Sequence, residues 1–411
     1  MNDRRVTYKL YPSAKQAEML NEICDLHRRL YNAALEERIS AWRLHRMSVS
    51  YGDQCRSVSD IRGVDPDYRK LNAQSLQVTL KRLDEAFQHF FRRVANGEKP
   101  GFPRFKSKNR FSGFGFKAHG DGFRFEPRVG WKHGYLKLSG VGWMQARGEA
   151  RTPGRVKRCD IMRKADGWHL SVVVACEPHR EIDEDAHEIC GLDWGVENYA
   201  TVARSLDDVE TVENDRFWDA EADALKAKQR DLSKALNGKR SNRAAKKRAA
   251  LAKSHRALAN RRKSRSHQES ARLVRRHGTI VTEELTPKNM TRSAKGGVEQ
   301  PGENVRQKAG LNRSILDTAP GGFLKMLTYK AEEAGTGLKV LPTKRMKPSQ
   351  RCPISWRVAK KRLDERSHTL PDGGTIGRDH AAALVMVRSA LRRQGREPAW
   401  VPRPETPFRA A

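Results

Sequence analysis

Three acidic positions in this chain combine a residue type that can do chemistry with a location at the end of a structural element. Asp193 closes an apolar run that begins near His187, and Glu283 and Glu284 close a second β-like run. Asp379 stands at the start of a predicted helix. A buried carboxylate requires a partner, water or a metal ion, because an unpaired buried charge is costly. These acids are therefore candidates for a metal-binding or catalytic site.

Each position also has a purely structural interpretation. A second β-like run at 199–203 follows Asp193, so this Asp could cap the turn of a β-hairpin. The pair at 283–284 could be an exposed strand end, and Asp379 could stabilise the positive end of its helix dipole. Taken one at a time, the residues leave both interpretations open.

The composition indicates a folded protein that neutralises a polyanion. The chain of 411 residues carries 81 Lys and Arg against 49 Asp and Glu, a formal charge of +32, with 37% hydrophobic residues. Nucleic acid is the first candidate partner and an anionic membrane is the alternative. We find no apolar run long enough to cross a membrane and no signal-peptide pattern, which favours a soluble, cytoplasmic protein. Six scattered Cys suit a reducing compartment rather than a disulfide scaffold.

Two segments carry cations in patterns that favour nucleic acid. Between 99 and 108, Phe102 and Phe105 alternate with Lys and Arg, so rings could stack on bases while cations meet phosphates; a core-anchored turn with solvated charges is the alternative. Between 239 and 276, 15 Lys or Arg accompany one acid, Glu269. The positive side chains of such a helix would repel one another unless a polyanion lies against it. The residues assigned to nucleic-acid contact are Lys99, Arg104, Lys106, Lys108, Lys246, Lys247, Arg248, Lys253, Arg256, Arg261, Arg262 and Lys263.

Hydrophobic periodicity predicts the elements that position these residues. The expected elements are a strand at 5–10, helices at about 13–42 and 72–96, a β-rich segment at 111–178, a β-hairpin from 187, helices at 214–236 and 241–277, and a helix from 379 to about 393. Short Gly- and Pro-bounded runs in the β-rich segment predict a small barrel, which the first strand could join.

Two later segments lack a regular pattern. Residues 291–312, rich in Gly, Lys and Asn, are expected to be mobile. Residues 343–378 hold one Cys, Cys352, and one His, His368. A structural zinc site requires four closely spaced ligands, so we expect no zinc there.

These motifs, in this order, resemble TnpB, the transposon-encoded RNA-guided nuclease, and its relatives the compact type V CRISPR effectors. The resemblance runs through about residues 5–390, and the combination is more specific than any single piece. The matching residues are Tyr11-Pro12 and Gln16, Tyr31-Asn32, Phe90-Phe91, the stretch from Lys99 to Lys106, Gly191-Leu192-Asp193-Trp194-Gly195, Glu283-Glu284-Leu285 with Asn289-Met290, Tyr329-Lys330-Ala331, Ser349-Gln350-Arg351-Cys352, and Arg378-Asp379.

The resemblance implies an α+β multidomain protein with a wedge-type β-barrel, a helical recognition insert and a RuvC nuclease domain of ribonuclease-H-like fold. The implied boundaries are 1–10 with 111–180 for the barrel, 11–110 for the insert, 187–393 for the nuclease domain and 394–411 for a disordered tail. Within the nuclease domain, the resemblance implies a basic helical insert at 214–277 and a degenerate target-loading knuckle at 343–377.

The resemblance also implies an activity, RNA-guided and Mg²⁺-dependent DNA cleavage. Asp193 matches the first RuvC carboxylate, Glu283 the second through the pattern Glu-x-Leu, and Asp379 the third. Together they would hold two Mg²⁺ ions for phosphodiester cleavage. Guide RNA would read double-stranded target DNA by base pairing, the protein would read a short flanking DNA motif, and the cations of 239–276 would line the heteroduplex channel.

The chain departs from the family near its C-terminal end. The family has two Cys-x-x-Cys-Gly knuckles, and only Cys352 of the four Cys is present here. The family's Asn two residues after the third acid is Ala381. These losses leave two alternatives to an active nuclease: an RNA-guided DNA-binding repressor that no longer cuts, or a general RNA-binding protein with a structural ribonuclease-H domain. Retention of all three acids favours the nuclease.

Overall fold

The computed structural model describes residues 2–150, 153–177, 180–236, 241–297, 300–362 and 364–402. The chain divides into two compact units, Met1–Pro178 and His179–Ala411, called here the N-terminal and C-terminal units. Within the described ranges, no helix is long and apolar enough to cross a membrane.

The N-terminal unit places four helices between the first strand and the rest of one sheet. Its elements are β1 (Asn2–Tyr11), α1 (Ala14–His45), α2 (Tyr51–Val64), α3 (Pro66–Arg69), α4 (Ala73–Ala95), β2 (Gly113–Phe116), β3 (Phe123–Pro127), β4 (Lys132–Leu138), β5 (Gly142–Glu149), β6 (Arg155–Lys164) and β7 (Gly167–Cys176). The strand order is β2-β6-β7-β1-β5-β4-β3, so β1 lies in the middle.

This sheet is curled but open. No hydrogen-bonded ladder joins its edge strands β2 and β3 in the part of the chain described. The rings of Phe116 on one edge and Phe123 on the other are nevertheless only 5.7 Å apart between centroids. The predicted small barrel is therefore corrected to a half-barrel, because aromatic side chains rather than backbone hydrogen bonds bridge the two edges.

A buried histidine joins the helices to the sheet in this unit. The two ring nitrogens of His27 on α1 lie 2.7 Å from Thr79 Oγ1 and 3.2 Å from Ser75 Oγ on α4. The ring also stacks on Phe114 of β2 at 5.1 Å. Burial lowers the pKa of His27 to about 3, so the neutral ring is the form that these contacts require.

The C-terminal unit is a mixed sheet with helices on both faces. Its elements are β8 (His187–Trp194), β9 (Asn198–Ala203), β10 (Val209–Glu213), α5 (Phe217–Ala235), α6 (Asn242–Arg276), β11 (His277–Glu283), α7 (Pro287–Met290), α8 (Val305–Thr318), α9 (Pro320–Ala334), β12 (Gly337–Leu341), α10 (Thr343–Met346), β13 (Ser367–Thr369), β14 (Thr375–Gly377) and α11 (Arg378–Arg392).

Alternating side chains divide this sheet between two cores. The strand order is β10-β9-β8-β11-β12; β8, β9 and β10 pair antiparallel, whereas β11 is parallel to both β8 and β12. Cys190, Leu192 and Ile280 belong to a buried cluster with side chains of α6, α8 and α9. Val281, one residue on, belongs to a second cluster with Ala383 and its neighbours on α11. One face of the sheet therefore packs against α6, α8 and α9, and the opposite face packs against α11.

Two predictions of irregular structure need correction. The segment 291–312 is partly helical, because α8 begins at Val305. The tail expected to be disordered from 394 remains packed through 402: Glu397 pairs with Arg388 on α11 at 2.7 Å, and Val401 is buried. The Pro-rich composition gave no sign of this ion pair. Residues 403–411 lie outside the described ranges.

Candidate active site

Two of the predicted acids end neighbouring parallel strands. The register of β8 and β11 pairs Leu192 with Thr282, and Thr282 Oγ1 donates a hydrogen bond of 2.9 Å to the Leu192 carbonyl oxygen. Asp193 and Glu283 are the next residues of the two strands. Because parallel strands in register point equivalent side chains to the same face, these carboxylates lie on one side of the sheet.

The third acid reaches that same face through a close helix contact. A Cβ built on Gly191 would lie only 1.9 Å from the Ala383 carbonyl oxygen, so α11 crosses β8 where a side chain is absent. Asp193 lies two residues beyond Gly191, on the same face of the strand. Asp379 lies four residues before Ala383, one turn toward the start of α11. The close crossing brings the helix start toward the strand ends.

The charges of the three acids act on one another. Burial raises the pKa of Asp193 well above its usual range, and the carboxylates of Glu283 and Asp379 raise it further, whereas the Arg378 guanidinium lowers it. Burial also raises the pKa of Glu283, and a hydrogen bond from the Thr343 side chain lowers it. Like charges that raise one pKa in this way favour binding of a cation.

The neighbouring acid Glu284 has a different environment. Glu284 is exposed, and its backbone is hydrogen-bonded. Its N–H donates to the Leu341 carbonyl at 2.8 Å, and its own carbonyl accepts from Thr343 Oγ1 at 2.8 Å. Successive residues of a strand point to opposite faces, so Glu283 rather than Glu284 faces Asp193.

The carboxylates of Asp193, Glu283 and Asp379 are ligands that suit a hard divalent cation, but in this structure they are not close enough to one another to share one ion. Mg²⁺ prefers carboxylate oxygens and water, and all three acids offer the former. Within the described ranges, however, no three His, Cys, Asp or Glu residues lie close enough to hold one metal ion. A shared metal site at Asp193, Glu283 and Asp379 therefore remains a prediction, supported by topology and charge.

Arg378, which the family resemblance named beside Asp379 without assigning it a role, fixes the start of α11. The Arg378 N–H donates to the Arg366 carbonyl at 2.9 Å, and its Nη1 donates to the carbonyls of Arg362 at 2.7 Å and Glu365 at 3.3 Å. These bonds tie the helix start to the chain just before β13. Its adjacency to Asp379 in the sequence was the available signal.

The region of the degenerate knuckle is held by arginine and tryptophan. Cys352 is buried and its Sγ accepts a 3.3 Å hydrogen bond from the Ser355 N–H. Arg388 Nη1 donates to the Pro353 carbonyl at 2.8 Å, and its guanidinium lies 5.1 Å from the Trp356 ring centroid. No cluster of three His, Cys, Asp or Glu residues includes Cys352 in the described part of the chain, and the absence of zinc remains a prediction.

The basic helix α6 divides into paired and exposed cations. Lys247 pairs with Asp231 of α5 at 2.8 Å, and Arg261 pairs with Glu221 of the same helix. Arg262 donates to Asp317, a buried residue of α8, at 2.6 Å. These three cations therefore have acidic partners within the C-terminal unit, which the sequence pattern did not reveal. The exposed positions are Lys246, Arg248, Lys253, Arg261 and Lys263, and Arg256 is half-buried.

The segment 99–108 of the N-terminal unit likewise contains both exposed residues and residues that contact the rest of the unit. Lys99, Arg104 and Lys108 are exposed, as are Phe102 and Phe105. The Lys106 backbone instead exchanges two hydrogen bonds with the Asn32 side chain, at 2.8 and 3.0 Å. Lys106 thus anchors the segment to α1, and Phe102 packs edge-on against Phe87 and Phe90. Nucleic-acid contact by the exposed cations remains a prediction.

Comparison with known proteins identifies the relationship. A profile of the OrfB family of IS605, described as "Probable transposase", matches residues 171–294, which include β8, Asp193 and Glu283. Over these residues the chain is similar to the OrfB proteins. A profile of the helix-turn-helix domain of OrfB matches residues 1–47; here those residues form β1 and the single long helix α1. The resemblance to transposon-encoded nucleases is thereby confirmed.

Two curated proteins match most of this chain. It is 29% identical over 357 residues to a protein of Escherichia coli K12 provisionally named RNA-guided DNA endonuclease InsQ, covering 86% of this chain and 83% of that one. A Streptomyces pristinaespiralis protein with the same provisional activity name is 26% identical over 399 residues, covering 94% and 89%. Among solved structures, Cas12f1 in complex with sgRNA and target DNA matches with a TM-score of 0.59 at 11% identity, over 91% of this chain and 83% of that one. That match shows a common α+β fold.

Proposed function

We propose that this protein is an RNA-guided DNA endonuclease with a RuvC-like active site. The observation that carries the proposal is the placement of Asp193 and Glu283 at the ends of adjacent parallel strands, on the face crossed by the helix that bears Asp379. The names of its curated relatives give the same activity.

The topology of the C-terminal unit supports a ribonuclease-H-like nuclease domain. Three antiparallel strands, β10, β9 and β8, are followed across the sheet by β11 and β12, both parallel to β8. Acids that leave such a sheet at the same edge can act on one phosphodiester even though nearly 190 residues separate them in sequence.

Each residue of the site has a role that follows from its position. Asp193, Glu283 and Asp379 would hold two Mg²⁺ ions. Bound Mg²⁺ supplies Lewis-acid stabilisation of the reacting phosphodiester and its leaving 3′ oxygen. Arg378 lowers the pKa of Asp193, and a Thr343 hydrogen bond lowers that of Glu283. Both contacts therefore favour the ionised carboxylates that bind a cation, against the effect of burial.

Guide RNA and double-stranded target DNA are the proposed partners. The formal charge of +32 favours a polyanionic partner that offers many phosphate groups. The exposed cations of α6 and of the segment 99–108 are the surfaces proposed for these contacts. Base pairing with the guide would supply sequence specificity, and a short flanking DNA motif would be read by the protein.

One specific observation keeps a second function in view, RNA-guided DNA binding without cleavage. The knuckle holds one Cys, and Ala381, where the family has Asn, is buried in α11. A buried Ala offers no polar atom near the site. Retention of three interacting acids nevertheless favours cleavage.

The test uses the RNA that copurifies with the full chain. This RNA is sequenced, and a DNA duplex matched to its candidate guide segment is incubated with the complex and Mg²⁺, with a randomised flanking sequence to admit any motif. Cleavage by wild type but not by Asp193→Asn supports the nuclease. Guide-dependent binding with no cleavage supports the second function, and absence of a bound RNA contradicts both.

A further inference from the structure

A cleft beside the C-terminal end of α11 is rich in arginine. Its volume is about 330 Å³. Thirteen residues separate Asp379 from Arg392, so the cleft lies roughly 20 Å along the helix from the candidate active site. The cleft is distinct from that site and is lined by Arg345, Met346, Arg351, Trp356, Arg392 and Arg393.

Trp356 orders the guanidinium groups around this arginine cleft. The guanidinium carbons of Arg351, Arg388 and Arg392 lie 4.9, 5.1 and 5.3 Å from its ring centroid. Arg351 is fixed further by hydrogen bonds of 2.9 Å from Nε to the Met346 carbonyl and from Nη1 to the Trp356 carbonyl. Stacking holds a guanidinium by its face and leaves N–H donors at its edge for an oxyanion.

The charges of the cleft are not balanced by the protein. Glu397 pairs with Arg388 at 2.7 Å and with Arg392 at 3.1 Å. Arg345 and Arg393 have no acidic partner among the residues that the structure describes. The five arginines of the cleft and its stack thus face one carboxylate. Cations gathered this closely repel one another unless an anion lies between them.

The helix dipole does not account for the arrangement. Cations near the last turn of a helix are stabilising in general, which would explain Arg392 and Arg393. Arg345 and Arg351 belong to a different segment, which follows β12, and they face the same cavity. Convergence of two segments on one cavity indicates a ligand rather than a helix cap.

We propose that this arginine cleft binds the phosphodiester backbone of a nucleic-acid strand. Guanidinium edges match phosphate oxygens in a bidentate geometry. Nucleic acid is chosen over free phosphate because the whole chain carries so large a positive charge. The inference rests on the proposed function only for this choice of ligand, and it assigns the cleft no part in cutting.

The test measures strand binding by the full chain with its bound RNA. A fluorescein-labelled single-stranded DNA of about 20 nucleotides is titrated at several KCl concentrations, and binding is followed by anisotropy. The variant Arg345→Ala/Arg393→Ala removes the two arginines without acidic partners. Arg306→Ala/Arg313→Ala removes the same charge from the exposed surface of α8 and serves as the matched control.

The cleft variant is expected to bind about 10-fold more weakly and to lower the salt slope by about 1.4, the value for two lost phosphate contacts on a single strand. The control should stay within about two-fold of wild type by the same reasoning. Equal weakening of both variants, or no weakening of either, overturns the proposal. A melting-temperature rise with inorganic phosphate that only the cleft variant loses, without a change in DNA binding, also overturns it.

Failure of the proposed function is visible separately. Cleavage of matched DNA by the α8 control reports on the nuclease, whereas the anisotropy titration reports on the cleft. A chain that binds the strand through Arg345 and Arg393 but cuts nothing would retain the cleft and lose the nuclease. A melting curve for each variant confirms that it is folded.

Discussion

Asp193 and Glu283 each directly follow one member of the last residue pair, Leu192 and Thr282, between two parallel strands. Their carboxylates therefore project on one face without any contribution from loop flexibility. The fold alone fixes this relationship, because the intervening helices and loops can change without altering the strand register.

Loss of any one acid should abolish cleavage without loss of guide RNA. Asp193→Asn, Glu283→Gln and Asp379→Asn each remove a charge that would hold the metal ions, and we expect at least a roughly 100-fold slower cut, the equivalent of about 3 kcal/mol. Glu284→Gln is the control, since Glu284 is exposed. Cleavage rate on matched DNA and the amount of copurifying RNA are measured together. A normal cleavage rate for Glu283→Gln would show that Glu283 is not part of the active site.

The crossing of Gly191 and Ala383 should tolerate no side chain. Gly191→Ala places a Cβ against the Ala383 carbonyl, so α11 must move, and we expect a loss of about 1–3 kcal/mol in the free energy of unfolding. Gly322→Ala in α9 meets nothing within 4 Å and should be neutral or stabilising by up to about 1 kcal/mol. Urea denaturation measures both. Equal stability of the two variants would show that α11 can shift freely.

The paired and exposed cations of α6 should separate in their effects. Arg262→Ala leaves the buried Asp317 carboxylate without its guanidinium and should destabilise the chain by about 3–5 kcal/mol. Lys246→Ala/Lys253→Ala/Lys263→Ala should leave stability almost unchanged, weaken RNA binding most at low salt, and make the remaining binding less salt-dependent than that of wild type. Thermal melting and an RNA filter-binding titration distinguish them. Unchanged RNA binding by the triple variant would exclude this helix face from the channel.

His27 should make the N-terminal unit sensitive to acid. Its folded pKa of about 3 lies below the usual value of about 6.5 for an unfolded His. The neutral ring is therefore stabilising above pH 6.5, and this contribution falls as pH decreases from about 6.5 toward 3, by up to about 1.4 kcal/mol per pH unit. Relative to wild type, His27→Gln should show a shallower loss of stability over that range. His89→Gln, at an exposed site, should follow the wild-type curve.

Zinc should be absent from the purified protein. The knuckle is held by Arg388 and Trp356, so a chelator should not change the melting temperature. Trp356→Ala removes the ring on which three guanidiniums lie and should lower stability by less than the roughly 3–5 kcal/mol of a fully buried Trp, because Trp356 is half-buried. Elemental analysis and melting curves with and without chelator provide the measurements. Stoichiometric zinc would show that ligands other than Cys352 have been overlooked.

The sequence predicted regular elements well where a local signal existed. Ser13 and Gln16 form a capping box at the start of α1, and periodicity placed α4 and α6 within a few residues of their observed ends. The open sheet was not predictable, because Phe116 and Phe123 meet through the curl of the sheet rather than through a sequence pattern.

Long-range ion pairs were the other feature that could not be predicted from the sequence. No residue near Arg262 in the sequence indicates that it will pair with Asp317, 55 residues away. Cations with structural partners could therefore not be distinguished from exposed cations by sequence alone. For the site itself, residue type and resemblance named the three acids. The shared face of the sheet and the crossing at Gly191 could be found only once strand register was known.

The most direct measurement is the structure of the guide-bound complex in Mn²⁺, with anomalous scattering used to locate the metal. We expect Mn²⁺ peaks bounded by the carboxylates of Asp193, Glu283 and Asp379, at about 2.0–2.2 Å from their oxygens, close to the distance expected for Mg²⁺, and we expect Asp379→Asn to lose them. If the complex cleaves DNA in Mn²⁺ but binds its metal elsewhere, with none of these three carboxylates in contact with it, the proposed active site is wrong.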